Sequence, residues 1–224
     1  RDKSLKSNAV KSFISYKALG VILGVMPWNF PFWQVFRFAV PSLVAGNSVV
    51  IKHAPNVQGS AVAIEKIFHS CGLPVDVLRI LMIGVDLVPD LISDRNIKAV
   101  SFTGSGAAGS RVAELSGKNI KKTVLELGGS DAFVVLNDAS LQACVDAAVS
   151  GRMLNCGQSC IAAKRFLVHE DVYGDFIHSL KRSVDTLVVG DPMLRETQVG
   201  PLARLDILER LERQVDRSVE LGAE

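Results

Sequence analysis

Two kinds of apolar segment alternate along most of the chain. Short runs rich in β-branched residues are typical of buried strands, and longer segments with an apolar residue at every third or fourth position are typical of helices. The short runs predict strands at residues 19–25, 48–52, 77–83, 97–102, 120–127, 133–136 and 165–168. The longer segments predict helices at 33–45, 57–70, 86–93, 104–115, 141–154, 172–187 and 202–221, the first of them interrupted or re-aimed at Pro41. Residues 1–16 show no clear period.

The regular alternation of strands and helices up to residue 127 predicts an α/β fold. Such alternation favours parallel βαβ units and an open, doubly wound parallel sheet. Ligands of these sheets bind beyond the carboxyl ends of the strands. Lys52, Gly104 and Glu126 fall at or just past predicted strand ends, and Asn29 lies in the loop after the first strand. We therefore expect these residues to share one crevice.

Composition narrows the classes of partner. A chain of 224 residues that is 48% hydrophobic can bury a core for one or two domains. Lys and Arg number 25 against 23 Asp and Glu, so no strongly basic surface indicates nucleic acid as a partner. No apolar run reaches the roughly 18 residues that a membrane span needs. Four cysteines do not make a disulfide scaffold in a chain of this size, and we expect a reduced, cytoplasmic protein.

A thiol and a carboxylate are each presented by glycine-rich backbone at the edge of a predicted strand. Glu126 lies near the end of an apolar run and is followed, after Leu127, by Gly128 and Gly129, and Cys160 ends the turn 157–160. Glycine allows sharp turns and close approach of a substrate. The pair therefore suggests a general base and a nucleophile, which we expect the fold to bring to one substrate.

The cysteines also allow a metal or thiol-redox interpretation. Cys156 and Cys160 are four positions apart, but a metal site needs two more ligands at suitable spacing, and His169 and His178 follow only singly. The sequence therefore predicts no metal site. Cys71 and Cys144 lie on predicted helical faces and are interpreted as small buried apolar residues.

A glycine-rich segment, 104–109, follows a predicted strand and opens a helix. Gly104, Gly106 and Gly109 match the loose pattern in which backbone N–H groups and a helix N-terminus bind a pyrophosphate. The segment follows the fourth strand of the sheet instead of the first. Nucleotide binding and a plain tight turn both remain open from the pattern alone.

Three further side chains have a chemical and a structural interpretation. Lys52 ends a buried strand, where its ammonium could reach ribose or phosphate oxygens or simply extend to water. Asn29 stands between two prolines, where its amide could donate to an oxyanion or form an Asx turn. Arg37 lies among aromatic residues and could bind a carboxylate ligand or form a structural ion pair.

Taken together, five motifs resemble those of the aldehyde dehydrogenase superfamily in order and spacing. They are Pro27–Pro31, Lys52 at a strand end, Phe102–Ser105, Glu126–Gly129 and Gly157–Cys160. The amino-acid sequence of residues 25–37 and 52–56 is similar to that of the bacterial succinate-semialdehyde dehydrogenase branch of this superfamily. The resemblance covers essentially the whole chain. Two alternatives to a succinate-semialdehyde dehydrogenase remain: a broad-specificity aldehyde dehydrogenase and a nucleotide-binding module without catalysis.

The resemblance implies oxidation of a small-molecule aldehyde to a carboxylic acid with NAD or NADP. It implies Cys160 as nucleophile, Asn29 with the Cys160 backbone N–H as oxyanion donors, and Glu126 as the base for hydrolysis. Arg37 would bind a substrate carboxylate. The residues expected at the cofactor are Trp28, Lys52, Gly104, Ser105 and Leu127.

Two positions depart from the pattern that the resemblance implies. Many NAD-preferring members carry a glutamate three residues after the lysine, and Pro55 stands there, so NADP is expected to be tolerated. Semialdehyde enzymes commonly place a second arginine six residues before the cysteine, and Leu154 stands there. Recognition of the carboxylate therefore depends on Arg37.

By the same resemblance, the chain is expected to be a fragment of about half a family member. Residues 1–18 would belong to a bridging or oligomerisation segment, 19–127 to an NAD(P)-binding domain, and 128–224 to the first part of a catalytic domain. The later glutamate motif that holds the nicotinamide ribose would lie outside the chain. We expect the fragment alone to be inactive and the full-length parent to be a dimer or tetramer.

Overall fold

A computed structural model of the protein describes residues 2–223. The chain divides into two compact units between Gly128 and Gly129. None of the helices formed by residues 2–223 combines the length and apolar composition that a membrane span requires.

The first unit is built on a five-stranded sheet in which every neighbouring pair of strands is parallel. A short antiparallel pair, β1 (Lys3–Ser4) and β2 (Phe13–Ile14), precedes it. The sheet strands are β3 (Val21–Met26), β4 (Ser48–His53), β5 (Leu78–Ile80), β6 (Ile97–Gly104) and β7 (Lys122–Leu127). The helices are α1 (Pro31–Val44), α2 (Gln58–Ser70), α3 (Val88–Ser93) and α4 (Gly106–Lys118). The predicted α/β fold with a parallel sheet is confirmed.

The order of strands across the sheet is β5-β4-β3-β6-β7. The chain moves outward from β3 to β5 and then returns to the other side of β3. Sheets of this kind bind ligands where the order reverses, outside the carboxyl ends of the strands. That point lies between β3 and β6, so the loop after β3 and the start of α4 flank it.

Helices cover both faces of the sheet, because neighbouring strand residues point to opposite faces. Ile22 packs in a cluster with Val35 of α1 and Ile64 of α2. Leu23, the next residue, packs in a separate cluster with Ile92 of α3 and Val112 of α4. The sheet is therefore doubly wound, with one apolar core on each face.

Helix α1 continues through Pro41 to Val44, so the interruption allowed at that proline does not occur. The hydroxyl of Ser42 donates to the Phe38 carbonyl at 2.8 Å within the same turn. Gly46, with a φ of 88°, then reverses the chain into β4. Strand β5 is also shorter than its apolar run, since it pairs with β4 over Leu78–Ile80 alone.

The second unit contains a parallel pair of strands and three long helices. Its elements are β8 (Ala132–Val135), α5 (Leu141–Met153), β9 (Arg165–Val168), α6 (Glu170–Asp185) and α7 (Leu205–Glu220). Strand β8 pairs in parallel with β9, and α5 provides the crossover between them. Val135, Val145, Ala148 and Phe176 form the buried core of this unit.

Candidate active site

Glu126 and Arg37 form a direct ion pair in the first unit. Glu126 is the penultimate residue of β7, where it lies opposite Thr103 of β6. Arg37 reaches it from α1. The two side chains are 45% and 41% exposed, respectively. Of the two interpretations of Arg37, the ion pair is the one observed, and its partner is the residue expected to act as a base.

Both side chains line an open groove of about 340 Å³ on the α1 side of β6 and β7. Phe38, Thr103 and Val124 contribute to its walls. The groove therefore combines an apolar surface with a guanidinium and a carboxylate, a combination suited to a short organic acid.

Asn29 lies in the loop between β3 and α1 and is partly buried, as is its neighbour Trp28. A buried histidine supports this loop from the next strand. His53, the last residue of β4, is completely buried, and its Nε2 lies 2.9 Å from the Pro31 carbonyl oxygen. The Ala54 N–H donates to His53 Nδ1 at 2.9 Å. Because Nδ1 accepts, Nε2 carries the hydrogen and donates to Pro31 in the neutral ring.

Burial is the main cause that lowers the pKa of His53 below its ordinary value, and the hydrogen bond to Pro31 opposes this shift. His53 therefore acts as a neutral clamp between the end of β4 and the start of α1. A role for His53 was not predicted from the sequence. Its only signal was its position beside Lys52 at a buried strand end.

Lys52 is buried, with 4% of its surface exposed. It lies opposite Val25 of β3, which packs against the cluster formed with α3 and α4. Lys52 therefore points to the α3/α4 face, whereas Glu126 points to the α1 face. Burial lowers the pKa of Lys52, and no carboxylate among residues 2–223 forms an ion pair with it. A buried ammonium of this kind suits a hydroxyl or anionic ligand.

The glycine-rich segment forms the tight entry to α4. Ser105 caps the helix, since its Oγ accepts from the Ala108 N–H at 3.4 Å. A methyl group added at Gly109 would lie 2.5 Å from Leu127 Cδ2, so this glycine allows α4 to approach β7 closely. A methyl group at Gly106 would meet nothing within 4 Å. The exposed helix start, with Lys52 on the same face of the sheet, fits the phosphate and ribose of a dinucleotide.

Cys160 is partly exposed in a turn of the second unit, and two cationic side chains hold the backbone around it. Lys164 Nζ donates to the Cys160 carbonyl at 2.8 Å and to the Ala162 carbonyl at 3.1 Å. Arg152 donates to the Gly157 carbonyl at 2.6 Å and to the Ala163 carbonyl at 2.9 Å. Because these carbonyls accept from the two cations, the turn 157–163 is fixed from within its own unit.

Three consecutive residues that lead into this turn have a left-handed backbone conformation. Asn155, Cys156 and Gly157 have φ values of 54°, 55° and 75°, and the first two lack glycine's freedom there. The Cys156 sulfur accepts from the Gly200 N–H at 3.2 Å, which gives this cysteine a structural contact. No period in the sequence signals these conformations.

The other two cysteines differ from each other. Cys71 follows the last residue of α2 and is exposed, so its assignment as a buried apolar residue is wrong. It lies past the apolar face of the helix. Cys144 in α5 is partly buried and packs beside the core of the second unit. Among residues 2–223, no three His, Cys, Asp or Glu side chains cluster in a way that could hold a metal ion.

Comparisons with known proteins cover the whole chain. A sequence model of the aldehyde dehydrogenase family matches residues 1–224. The chain is 50% identical over 222 residues to a probable succinate-semialdehyde dehydrogenase [NADP(+)] of Synechocystis sp., covering 99% of this chain and 49% of that protein. It is 46% identical over 213 residues to the succinate semialdehyde dehydrogenase [NAD(P)+] Sad of Escherichia coli, covering 95% of this chain and 46% of the other.

A comparison with solved structures also finds a succinic semialdehyde dehydrogenase. The crystal structure of succinic semialdehyde dehydrogenase from Streptococcus pyogenes, in complex with NADP+, superimposes with a TM-score of 0.97 at 35% identity. The match covers 100% of this chain and 49% of that one. The chain thus spans about half the length of the curated relatives it matches. With a family match over its full length and this agreement in fold, the chain belongs to the aldehyde dehydrogenase family.

Proposed function

We propose that the protein to which this chain belongs oxidises succinate semialdehyde to succinate with NADP+ or NAD+. The observation that carries the proposal is the position of Arg37 in the groove that also contains Glu126. A guanidinium in a groove with apolar walls is suited to the carboxylate of a short semialdehyde. The printed names of the relatives at 46–50% identity point to the same substrate and cofactors.

Each candidate residue has one chemical role. The Cys160 thiolate attacks the aldehyde carbon, and the Asn29 amide with the Cys160 backbone N–H stabilises the resulting oxyanion. When bound, NAD(P)+ would supply the hydride acceptor for this oxidation, and Cys160 would then carry the acyl group as a thioester. Glu126 then takes a proton from the water that attacks the thioester carbon, the C–S bond breaks, and the thiolate is restored.

The first unit would hold the cofactor. Lys52 would bind a ribose hydroxyl or a phosphate oxygen, and Ser105 with the start of α4 would bind the phosphates. Trp28, Gly104 and Leu127 would complete the contact. Pro55 leaves this region without the carboxylate that would repel the 2′-phosphate of NADP+.

The domain assignment is part of the same proposal. Residues 1–18 would bridge subunits, 19–127 would bind the cofactor, and 128–224 would begin the catalytic domain. The full-length protein would form a homodimer or homotetramer. Because the chain spans about half the length of its relatives, we expect the 224 residues alone to show no turnover.

Steady-state kinetics of the full-length protein test the function. We expect kcat/KM for succinate semialdehyde to exceed that for butanal, which has the same number of carbons and no carboxylate. Replacement of Cys160 by Ala should abolish NAD(P)H formation from both aldehydes, because the nucleophile is lost. The matched control is Cys144→Ala, in α5, which should retain activity. Turnover by the Cys160→Ala variant, or equal kcat/KM for both aldehydes, would contradict the proposal.

A further inference from the structure

We propose, on the basis of the function proposed above, that Arg37 restrains Glu126 until the carboxylate of the substrate takes its place. The semialdehyde would then supply the signal that releases the base required for its own hydrolysis. An aldehyde without a carboxylate would leave Glu126 paired with Arg37 and would be hydrolysed slowly from the enzyme.

Two residues to which the sequence assigned separate roles are in direct contact in the structure. Arg37 is the expected carboxylate-binding residue and Glu126 the expected base, yet each is the other's ion-pair partner. A guanidinium presents one planar fork that fits a carboxylate with two parallel hydrogen bonds. The side chain of Glu126 and a substrate carboxylate therefore compete for the same donors.

The exposure of the pair makes such an exchange feasible. Within residues 2–223, both side chains are more than 40% exposed and border the open groove, so an anion that enters this groove can reach Arg37. An exposed ion pair is also weak enough to be replaced, unlike a buried one, whose separation leaves an uncompensated charge.

The exchange matters at the hydrolysis step. An oxygen of Glu126 that accepts a hydrogen bond from Arg37 is held by this guanidinium and is not free to contact the attacking water. Once the substrate carboxylate occupies Arg37, this oxygen is available to take the proton while the water oxygen bonds to the thioester carbon and the sulfur leaves. The substrate carboxylate should therefore raise kcat as well as lower KM.

The experiment uses the substrate in two pieces. Propanal supplies the aldehyde, and formate supplies the carboxylate, so together they contain the carbon and oxygen atoms of succinate semialdehyde without the C–C bond that joins the two parts. The full-length protein is mixed with cofactor and propanal, and two quantities are measured as formate is titrated: steady-state turnover and, by quenching and intact mass, the fraction of acylated Cys160. Sodium chloride at equal ionic strength is the salt control.

We expect formate to raise propanal turnover by about two- to fivefold, the range that corresponds to breaking an exposed ion pair. The acylated fraction should fall at the same time, because hydrolysis is the accelerated step. Chloride, which cannot use both donors of the guanidinium fork, should have a smaller effect.

Substitution of Arg37 identifies where formate acts. Arg37→Gln should oxidise propanal about as fast without formate as the wild type does with it, and should no longer respond to formate. Arg37→Lys keeps the charge but removes the fork, and should respond weakly. The control is Arg79→Gln, which removes another exposed arginine that faces a glutamate, Glu65, at 3.5 Å outside the groove. It should respond to formate like the wild type.

The possible failures can be told apart. If neither propanal nor succinate semialdehyde acylates Cys160, the proposed function itself is wrong. If Cys160 is acylated but formate does not accelerate its release in the wild type, the exchange at Arg37 is wrong while the function stands. An equal response to formate in the wild type and in Arg37→Gln would also overturn the exchange.

Discussion

The two units position their candidate catalytic groups by different means. In the first unit, Lys52 and Glu126 stand near the ends of parallel strands, and the backbone ladder of the sheet sets their heights and faces. In the second unit, Cys160 stands in a turn that Arg152 and Lys164 hold through backbone carbonyls. The sheet is supported by apolar cores on both faces, whereas the turn depends on a few polar contacts.

This difference predicts unequal sensitivity to substitution. A strand end is fixed by many backbone hydrogen bonds that do not depend on any one side chain. The turn at Cys160 depends on left-handed residues and on two cationic side chains, so one change there affects the whole turn. Substitutions in the turn should therefore cost more activity than substitutions of similar size at the sheet.

Among the substitutions that test this difference between the units, the largest effect is expected for Gly157→Ala in the full-length protein. Gly157 has a φ of 75°, and an added methyl group would lie 2.7 Å from Arg152 Nη2 and 3.3 Å from the Arg152 carbonyl oxygen. The strain and the displaced guanidinium should move the turn. Because a displacement of about 1 Å can reduce a rate about a hundredfold, we expect kcat/KM to fall by about that factor. Steady-state kinetics measure it.

Gly151→Ala is the matched control for this variant. Gly151 lies six positions earlier within α5, and a methyl group there would meet nothing within 4 Å. Alanine is favoured over glycine in a helix by about 0.5–1 kcal/mol, so this variant should be slightly more stable and fully active. If Gly157→Ala has the activity of Gly151→Ala, the conformation of the turn does not govern Cys160.

The same contrast explains how far the sequence could predict the structure. The strands that contain Lys52 and Glu126 near their ends follow from apolar runs and turn residues, and the doubly wound sheet follows from their alternation with helices. The pairing of Arg37 with Glu126 could not be predicted, because it joins α1 to β7 across a large sequence separation. The left-handed conformation of Cys156 was equally hidden, since a cysteine rarely adopts it and no local residue pattern requires it.

The contribution of buried His53 to the first unit can be tested through the pH dependence of stability. Its pKa is lowered by burial, so the folded protein binds fewer protons at this site than the unfolded chain does, between the folded pKa and the ordinary value of 6.5. The free energy of unfolding should therefore decrease as the pH falls through 6.5 towards the lower pKa of His53 in the folded protein. In His53→Asn, that component of the pH dependence should be absent.

The His53→Asn variant should also be less stable at pH 7, by about 1–3 kcal/mol, because the hydrogen bond from the buried His53 ring to the Pro31 carbonyl is lost. Urea unfolding followed by the fluorescence of Trp28 and Trp33, which flank Pro31, measures both effects. His178 is exposed in α6, and His178→Asn is the control that should keep the wild-type pH dependence. An unchanged pH dependence in His53→Asn would show that the ring is not a neutral clamp.

The smallest effect is expected for Pro55→Glu, at the sheet end where the cofactor is proposed to bind. Pro55 is exposed at the first position of a short 3-10 helix, Pro55–Val57, two residues after β4. A carboxylate there should repel the 2′-phosphate of NADP+ while leaving the fold intact, because no packing contact is lost. Two exposed charges at about 4 Å interact by about 1 kcal/mol in water, so KM for NADP+ should rise about fivefold and KM for NAD+ should not. Pro55→Gln separates charge from the loss of proline. If both variants shift KM for NADP+ equally, backbone rigidity at this position sets the cofactor preference instead of charge.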